Sequence, residues 1–137
     1  MSPARAAFDV PATVESLDLV QDRFGAWWDT LGIEDVRLRF GLETAVTEIA
    51  GNIVEHTRRT DQEAGRRYTV ELDATDRELV AVLTDNGLPA DVDLAAVTMA
   101  DPDQEGGRGL ALAIAALDRL EHRHEGGRNI WTLACSR

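Results

Sequence analysis

Between residues 13 and 84 the apolar residues change their period once, near residue 58, and that switch decides the fold class. Upstream, Val14, Leu17, Val20, Phe24, Trp27 or Trp28, and Leu31 recur at helical spacing, and Gly32 stops the run. Thr13 is placed to cap this helix. A second stripe follows with Leu38, Leu42, Ala45 and Val46, Ile49 and Ile53, from a cap at Asp35 to about Thr57. Downstream the period becomes two. Tyr68, Val70 and Leu72 alternate with Thr69, Glu71 and Asp73, and Leu79 to Thr84 is a continuous apolar strand. Residues 120–124 and 130–134 form a hairpin about Glu125-Gly126-Gly127. Ala6 to Ala12 supply a first strand, with Phe8 and Val10 on one side and Pro11 marking an edge or an end. Residues 58–67 are a polar loop, residues 88–106 a long loop rich in Asp, Pro and Gly, and residues 110–117 an Ala/Leu-rich helix. The order β-α-α-β-β-loop-α-β-β predicts an α+β fold: a two-layer sandwich whose mixed sheet is covered on one face by helices. A length of 137 residues points to one domain over 1–137, with an ordered core over about 6–134.

Composition narrows the chemistry. All 14 basic residues are Arg, and Lys is absent. A Walker A loop, a Schiff-base lysine and the usual protein-kinase nucleotide lysine are therefore excluded. The formal net charge of -11 repels the phosphate backbone of nucleic acids and anionic membrane surfaces. Cys135, the only cysteine, cannot close an internal disulfide and lies in an apolar run, as buried filler does. His56, His122 and His124 are the only histidines, too few with one Cys for a zinc set. His122 and His124 alternate along a strand and read as a solvated face. No leader and no apolar run of membrane-spanning length is visible. Together these features point to a soluble, cytoplasmic protein that contacts neither nucleic acid nor membrane. Trp27 and Trp28 mark a large apolar contact, read as core, with a dimer or partner surface as the alternative.

Three patches carry chemistry. In Glu48-Ile-Ala-Gly-Asn52-Ile-Val-Glu-His56, three polar residues spaced by four run along one side of a helix. At about 100° per residue, Glu48 and Asn52 sit on the shoulder of the apolar stripe and His56 falls within it. Glu48 offers a base or a metal ligand, and Asn52 a neutral oxygen for a hard cation such as Mg²⁺. Taken alone, the pair reads as exposed polar surface. In the second patch, Asp85-Asn86-Gly87 closes a buried strand. Asn-Gly is a favoured hairpin turn, but Pro89, Asp91 and Asp93 break any following strand. Asp85 can then accept a hydrogen bond from an exocyclic amine, while Gly87 leaves room for a flat ring. In the third, Gly106-Gly107-Arg108-Gly109-Leu110 opens a helix, where free N–H groups favour an anion. A flexible hinge explains it equally well. A helix end contributes roughly 0.3–1 kcal/mol to an exposed anion and ~2 kcal/mol when partly buried. That cannot hold a triphosphate on so acidic a chain without a metal ion and a local Arg, which raises the interest of Asn52 and Arg108.

The order and spacing of the three patches resemble the Bergerat ATP-binding fold, and within it the small bacterial anti-sigma-factor serine/threonine kinases. The resemblance spans nearly the whole chain. It implies ATP and Mg²⁺ as cofactors, with Asn52 as the metal ligand and Glu48 as general base on a protein hydroxyl. It implies Asp85 on the adenine amino group, Gly87 beneath the ring, and Gly107 and Gly109, with Arg108 and Leu110, around the phosphates. His56 takes a structural role near the nucleotide. The implied partners are a sigma factor, an anti-sigma-factor antagonist phosphorylated on Ser or Thr, and a second copy of the chain as a homodimer. The sequence departs from the family at two places: Glu105 stands where a basic residue is common, and Arg128 and Asn129 follow the last glycine turn where Thr is favoured. An ATP-binding regulatory module without phosphotransfer is the alternative, and a plain interaction domain without nucleotide a third reading.

Overall fold

The computed structural model describes residues 5–60, 66–87, 111, 115 and 117–137. Strand β1 covers Arg5–Pro11, helix α1 Ser16–Asp29 and helix α2 Val36–Thr60. Four more strands follow: β2 (Arg67–Ala74), β3 (Glu78–Asp85), β4 (Arg119–Glu125) and β5 (Arg128–Ser136). The five strands form one sheet in the order β1-β2-β3-β5-β4.

Every pairing among the described residues is antiparallel, so the sheet is not the mixed one expected. The connections explain this. Two helices between β1 and β2 carry the chain back across the layer, so β2 enters opposite to β1. β4 runs in the same direction as β3, but β5 turns back by a hairpin and fills the gap between them. Pairing direction of this kind is set by connections, which hydrophobic period does not report. The α+β class and the layering with helices on one face hold.

Strand alternation sorts the side chains. On β2, Tyr68, Val70, Leu72 and Ala74 are buried, and on β3 so are Leu79, Ala81, Leu83 and Asp85. Trp131, Leu133 and Cys135 extend this face across β5. From the helix layer, Val20, Phe24, Trp27 and Trp28 of α1 and Leu42, Val46, Ile49 and Ile53 of α2 close on it. Each such large side chain contributes roughly 1.5–3 kcal/mol by leaving water. Trp27 and Trp28 are core: Phe24 meets Trp27 edge-on at 5.5 Å and stacks on Trp28 at 6.1 Å. Trp28 also donates its indole N–H to the Ile33 carbonyl at 3.2 Å, fixing the link between the helices.

The helix caps differ from each other. Asp35 Oδ1 accepts the Leu38 N–H at 3.1 Å, as the sequence predicts. Thr13 does not cap α1 with its side chain. Its carbonyl accepts the Ser16 hydroxyl at 2.7 Å, and the helix starts at Ser16, later than expected. α2 runs to Thr60, beyond the expected end at Thr57. The helix expected at 110–117 and the loop at 88–106 lie largely outside the described residues.

Candidate functional site

One end of the sandwich is polar where the rest is apolar. Val10, Tyr68, Asp85 and Asn129 stand opposite one another in register across four strands. All four are buried. Their burial follows from strand parity, because each occupies a helix-facing position. Tyr68 satisfies its hydroxyl on Ser16 Oγ at 2.7 Å. Burial pushes the Tyr68 phenol up from its ordinary value, and the Ser16 hydrogen bond partly offsets that.

Asp85 is the charged member of this row and is only 5% exposed. Its Oδ1 accepts two hydrogen bonds, from the Gly87 N–H at 2.8 Å and from the Asn129 side-chain amide at 3.0 Å. Oδ2 takes neither of them. The carboxylate is thus anchored by one oxygen and presents the other as an acceptor. A Cβ at Gly87 would sit 3.1 Å from Asp85 Oδ1, so a larger residue there would have to push the carboxylate aside by a few tenths of an ångström. The short loop thus closes tightly over the carboxylate.

On β4 the register partner of Asn129 is the exposed His124, and the side chain that reaches Asn129 comes diagonally from His122. His122 Nε2 lies 3.1 Å from Asn129 Oδ1, and the imidazole packs on the Trp131 ring at a centroid distance of 4.2 Å. His122 is therefore half-buried and engaged, not the solvated residue that its alternation indicates. Asn129 and His122 are the site residues that sequence reasoning missed. One signal was available: Asn129 heads the alternating series Asn129, Trp131, Leu133 and Cys135, so a polar amide occupies a core-facing position.

The second half of α2 reaches the same end. Arg39 pairs with Asp29 at 3.7 Å, and Gln21 faces Glu43, Thr47 and Glu48 across a groove, so α1 and α2 run antiparallel. The start of α1 and the second half of α2 then share one end of the layer. Ser16, at that start, bonds Tyr68, the register partner of Asp85. Asn52 and Asp85 thus lie toward the same end of the sandwich. Asn52 is half-buried on the shoulder of α2 as expected, and His56, expected within the apolar stripe, is also only half-buried.

Glu48, also half-buried, lines the α1–α2 groove, about 220 Å³, with Gln21, Phe40, Glu43, Thr44 and Thr47. Asp85 borders a different cavity of about 240 Å³, with Asp9, Arg67, Thr69, Thr84 and Arg128 among its walls. Asp9, Thr69 and Thr84 are in register on the face away from the helices, so that cavity opens mainly on the bare side of the sheet. Asn52 borders neither. Gly107, Arg108, Gly109 and Leu110 lie outside the described residues, as does Glu105.

Among the described residues no cluster of three or more His, Cys, Asp and Glu side chains could cage a metal. The donor set fits an ion held mainly by phosphate oxygens and water, with one neutral protein oxygen from Asn52. No helix among the described residues is long and apolar enough to cross a membrane.

A single antiparallel sheet under a helix pair, with a buried carboxylate closing β3 beside a glycine, makes an α+β two-layer sandwich. The chain belongs to the histidine kinase-like ATPase domain family, which it matches over residues 10–134. That family's fold binds ATP. Among solved structures it is similar to the RsbU and RsbW domains of Rv1364c from Mycobacterium tuberculosis, with 23% identity and a TM-score of 0.67. That match covers 97% of this chain and 32% of the other, so the likeness is one of fold and the chain spans about a third of that protein's length. No curated protein is similar enough in sequence to count as a relative.

Proposed function

We propose that this chain is a single-domain, ATP-binding serine/threonine kinase that phosphorylates an anti-sigma-factor antagonist and restrains a sigma factor. The observation that carries the reading is Asp85: a buried carboxylate, fixed through Oδ1 and offering Oδ2 to an amine such as that of adenine. Asn52 would hold Mg²⁺ against the phosphates, and the bound ion would neutralise charge on the transferring phosphoryl group. Glu48, one helical turn earlier, would take the proton from the incoming hydroxyl. Gly87 keeps the wall beside the carboxylate thin enough for a flat ring, and His56 borders the same shoulder of α2. Gly107, Arg108, Gly109 and Leu110 would wrap the phosphates. The likeness to a structure that contains an RsbW domain supports the anti-sigma assignment. The sigma factor, the antagonist and a second copy of the chain are the partners in this reading. Its setting is the cytoplasm.

Asp85→Asn tests the nucleotide. An amide turned to satisfy Gly87 and Asn129 loses a fixed anionic acceptor, so Mg-ATP binding measured by calorimetry should vanish. Binding at wild-type strength would remove the adenine role of Asp85. Glu48→Gln tests the transfer. It should keep ATP and lower phosphorylation of a partner serine by roughly a hundred- to ten-thousand-fold, the range a general base supplies. Undiminished transfer would remove that assignment. A regulatory ATP-binding module without transfer is favoured by Glu105, whose charge opposes phosphate. Phosphoserine on any candidate antagonist incubated with ATP would defeat it.

A further inference from the structure

We infer that His122 is a positioning residue for ligand recognition, acting through Asn129 to aim the Asp85 carboxylate at an exocyclic amino group. The inference rests on the nucleotide reading above and adds to it a specificity device drawn from the chain's last two strands.

The direction of the hydrogen bonds follows from donor chemistry. A carboxylate only accepts, so Asn129 must turn its NH₂ toward Asp85 Oδ1, where the distance is 3.0 Å. The amide oxygen of Asn129 then faces His122 Nε2 at 3.1 Å. That oxygen also only accepts, so Nε2 must carry the proton. The relay therefore runs one way, from His122 Nε2–H to Asn129 Oδ1 and from Asn129 Nδ2–H to Asp85 Oδ1. It spans three adjacent strands, β4, β5 and β3.

Each member is held by something else. Asp85 and Asn129 are direct register partners. His122 stands opposite Trp131 in the β4–β5 ladder, and its ring packs on the indole, which fixes its plane. Asn129 is 0% exposed, so water cannot replace a lost donor cheaply. With the Gly87 N–H and the Asn129 amide both on Oδ1, the remaining oxygen is a fixed, anionic, donor-seeking group. Such a group selects a purine that carries an amino group at the contacted edge and rejects one that carries a carbonyl. Without the Nε2–H, Asn129 Oδ1 loses the donor that orients it toward His122, and the second anchor of the carboxylate is weakened.

The test compares ATP with inosine triphosphate, which has a carbonyl in place of the amine, by calorimetry on the full chain. His122→Phe keeps an aromatic ring on Trp131 and removes the donor. It should narrow the preference for ATP over inosine triphosphate by roughly tenfold, the worth of one charge-linked hydrogen bond. His122→Gln can place an N–H near the Nε2 position and should restore a preference close to that of the wild type. His122→Phe with undiminished discrimination overturns the relay and leaves the nucleotide reading intact. A wild type that binds neither triphosphate overturns the nucleotide reading itself and, with it, this role for His122. Nitrogen NMR of the ligand-free protein reports on the relay without any nucleotide: the proton of His122 should be on Nε2, and an Nδ1–H tautomer overturns the inference.

Discussion

At the residue scale, burial decides which polar groups matter. Cys135 is 3% exposed, and burial, with the nearby Asp118 charge, pushes its thiol from 9.0 up to about 11. Tyr68 moves the same way through burial. Both groups fold neutral, and both ionise more readily in the unfolded chain. The stability they contribute is therefore complete below the unfolded values and is lost as pH rises. For Cys135 the loss falls between pH 9 and about pH 11. It amounts to roughly 3 kcal/mol at most for a shift of that size. Urea midpoints across that window should fall for the wild type, and Cys135→Ala should flatten the fall while lowering the whole curve. Equal slopes in the two proteins would contradict the account. Asp118 works in the opposite sense. A hydrogen bond from the Ser136 backbone N–H holds its carboxyl below the usual range, which ties the entry of β4 to the end of β5.

At the element scale, the β4–β5 hairpin shows how local chemistry positions distant groups. Gly126 and Gly127 have φ of 61° and 76°, the left-handed pair of a two-residue hairpin loop between Glu125 and Arg128. Gly127→Ala should cost about 1 kcal/mol, because an L side chain resists that backbone, and the urea midpoint should drop accordingly. An unchanged midpoint would refute this. The turn fixes the register that brings His122 and Asn129 together. The same hairpin marks how far the sequence can be read. Glycines, caps and alternation give away the turn, the Asp35 cap and the buried faces, since each is written within a few neighbouring residues. Strand order is not local. β5 inserts between β3 and β4, and that alone brings Asn129 to Asp85, 44 residues earlier. Hence Glu48, Asn52 and Asp85 stand out as chemistry in the sequence, while Asn129 looks like a departure from a family pattern and His122 like a surface residue. The all-antiparallel sheet escaped for the same reason.

At the scale of the whole molecule, charge and shape act together. A net charge of -11 on a small domain repels itself, and added salt screens that repulsion. The thermal midpoint in scanning calorimetry should rise by roughly a few degrees from low to physiological ionic strength. A midpoint that falls would mean that favourable ion pairs outweigh the repulsion. The sheet that carries this charge ends in β1 and β4. Along β1, Pro11 withholds a backbone donor and Arg67 grips Asp9 at 2.8 Å across the neighbouring strand. Along β4, Arg119, Glu121, Arg123 and Glu125 alternate in sign and pair with one another at 3.4 Å. Another molecule arriving at either margin meets proline or a picket of guanidinium and carboxylate where a fibril would need bare, neutral ribbon. The domain is thereby guarded against stacking end over end into amyloid-like threads, even when crowded.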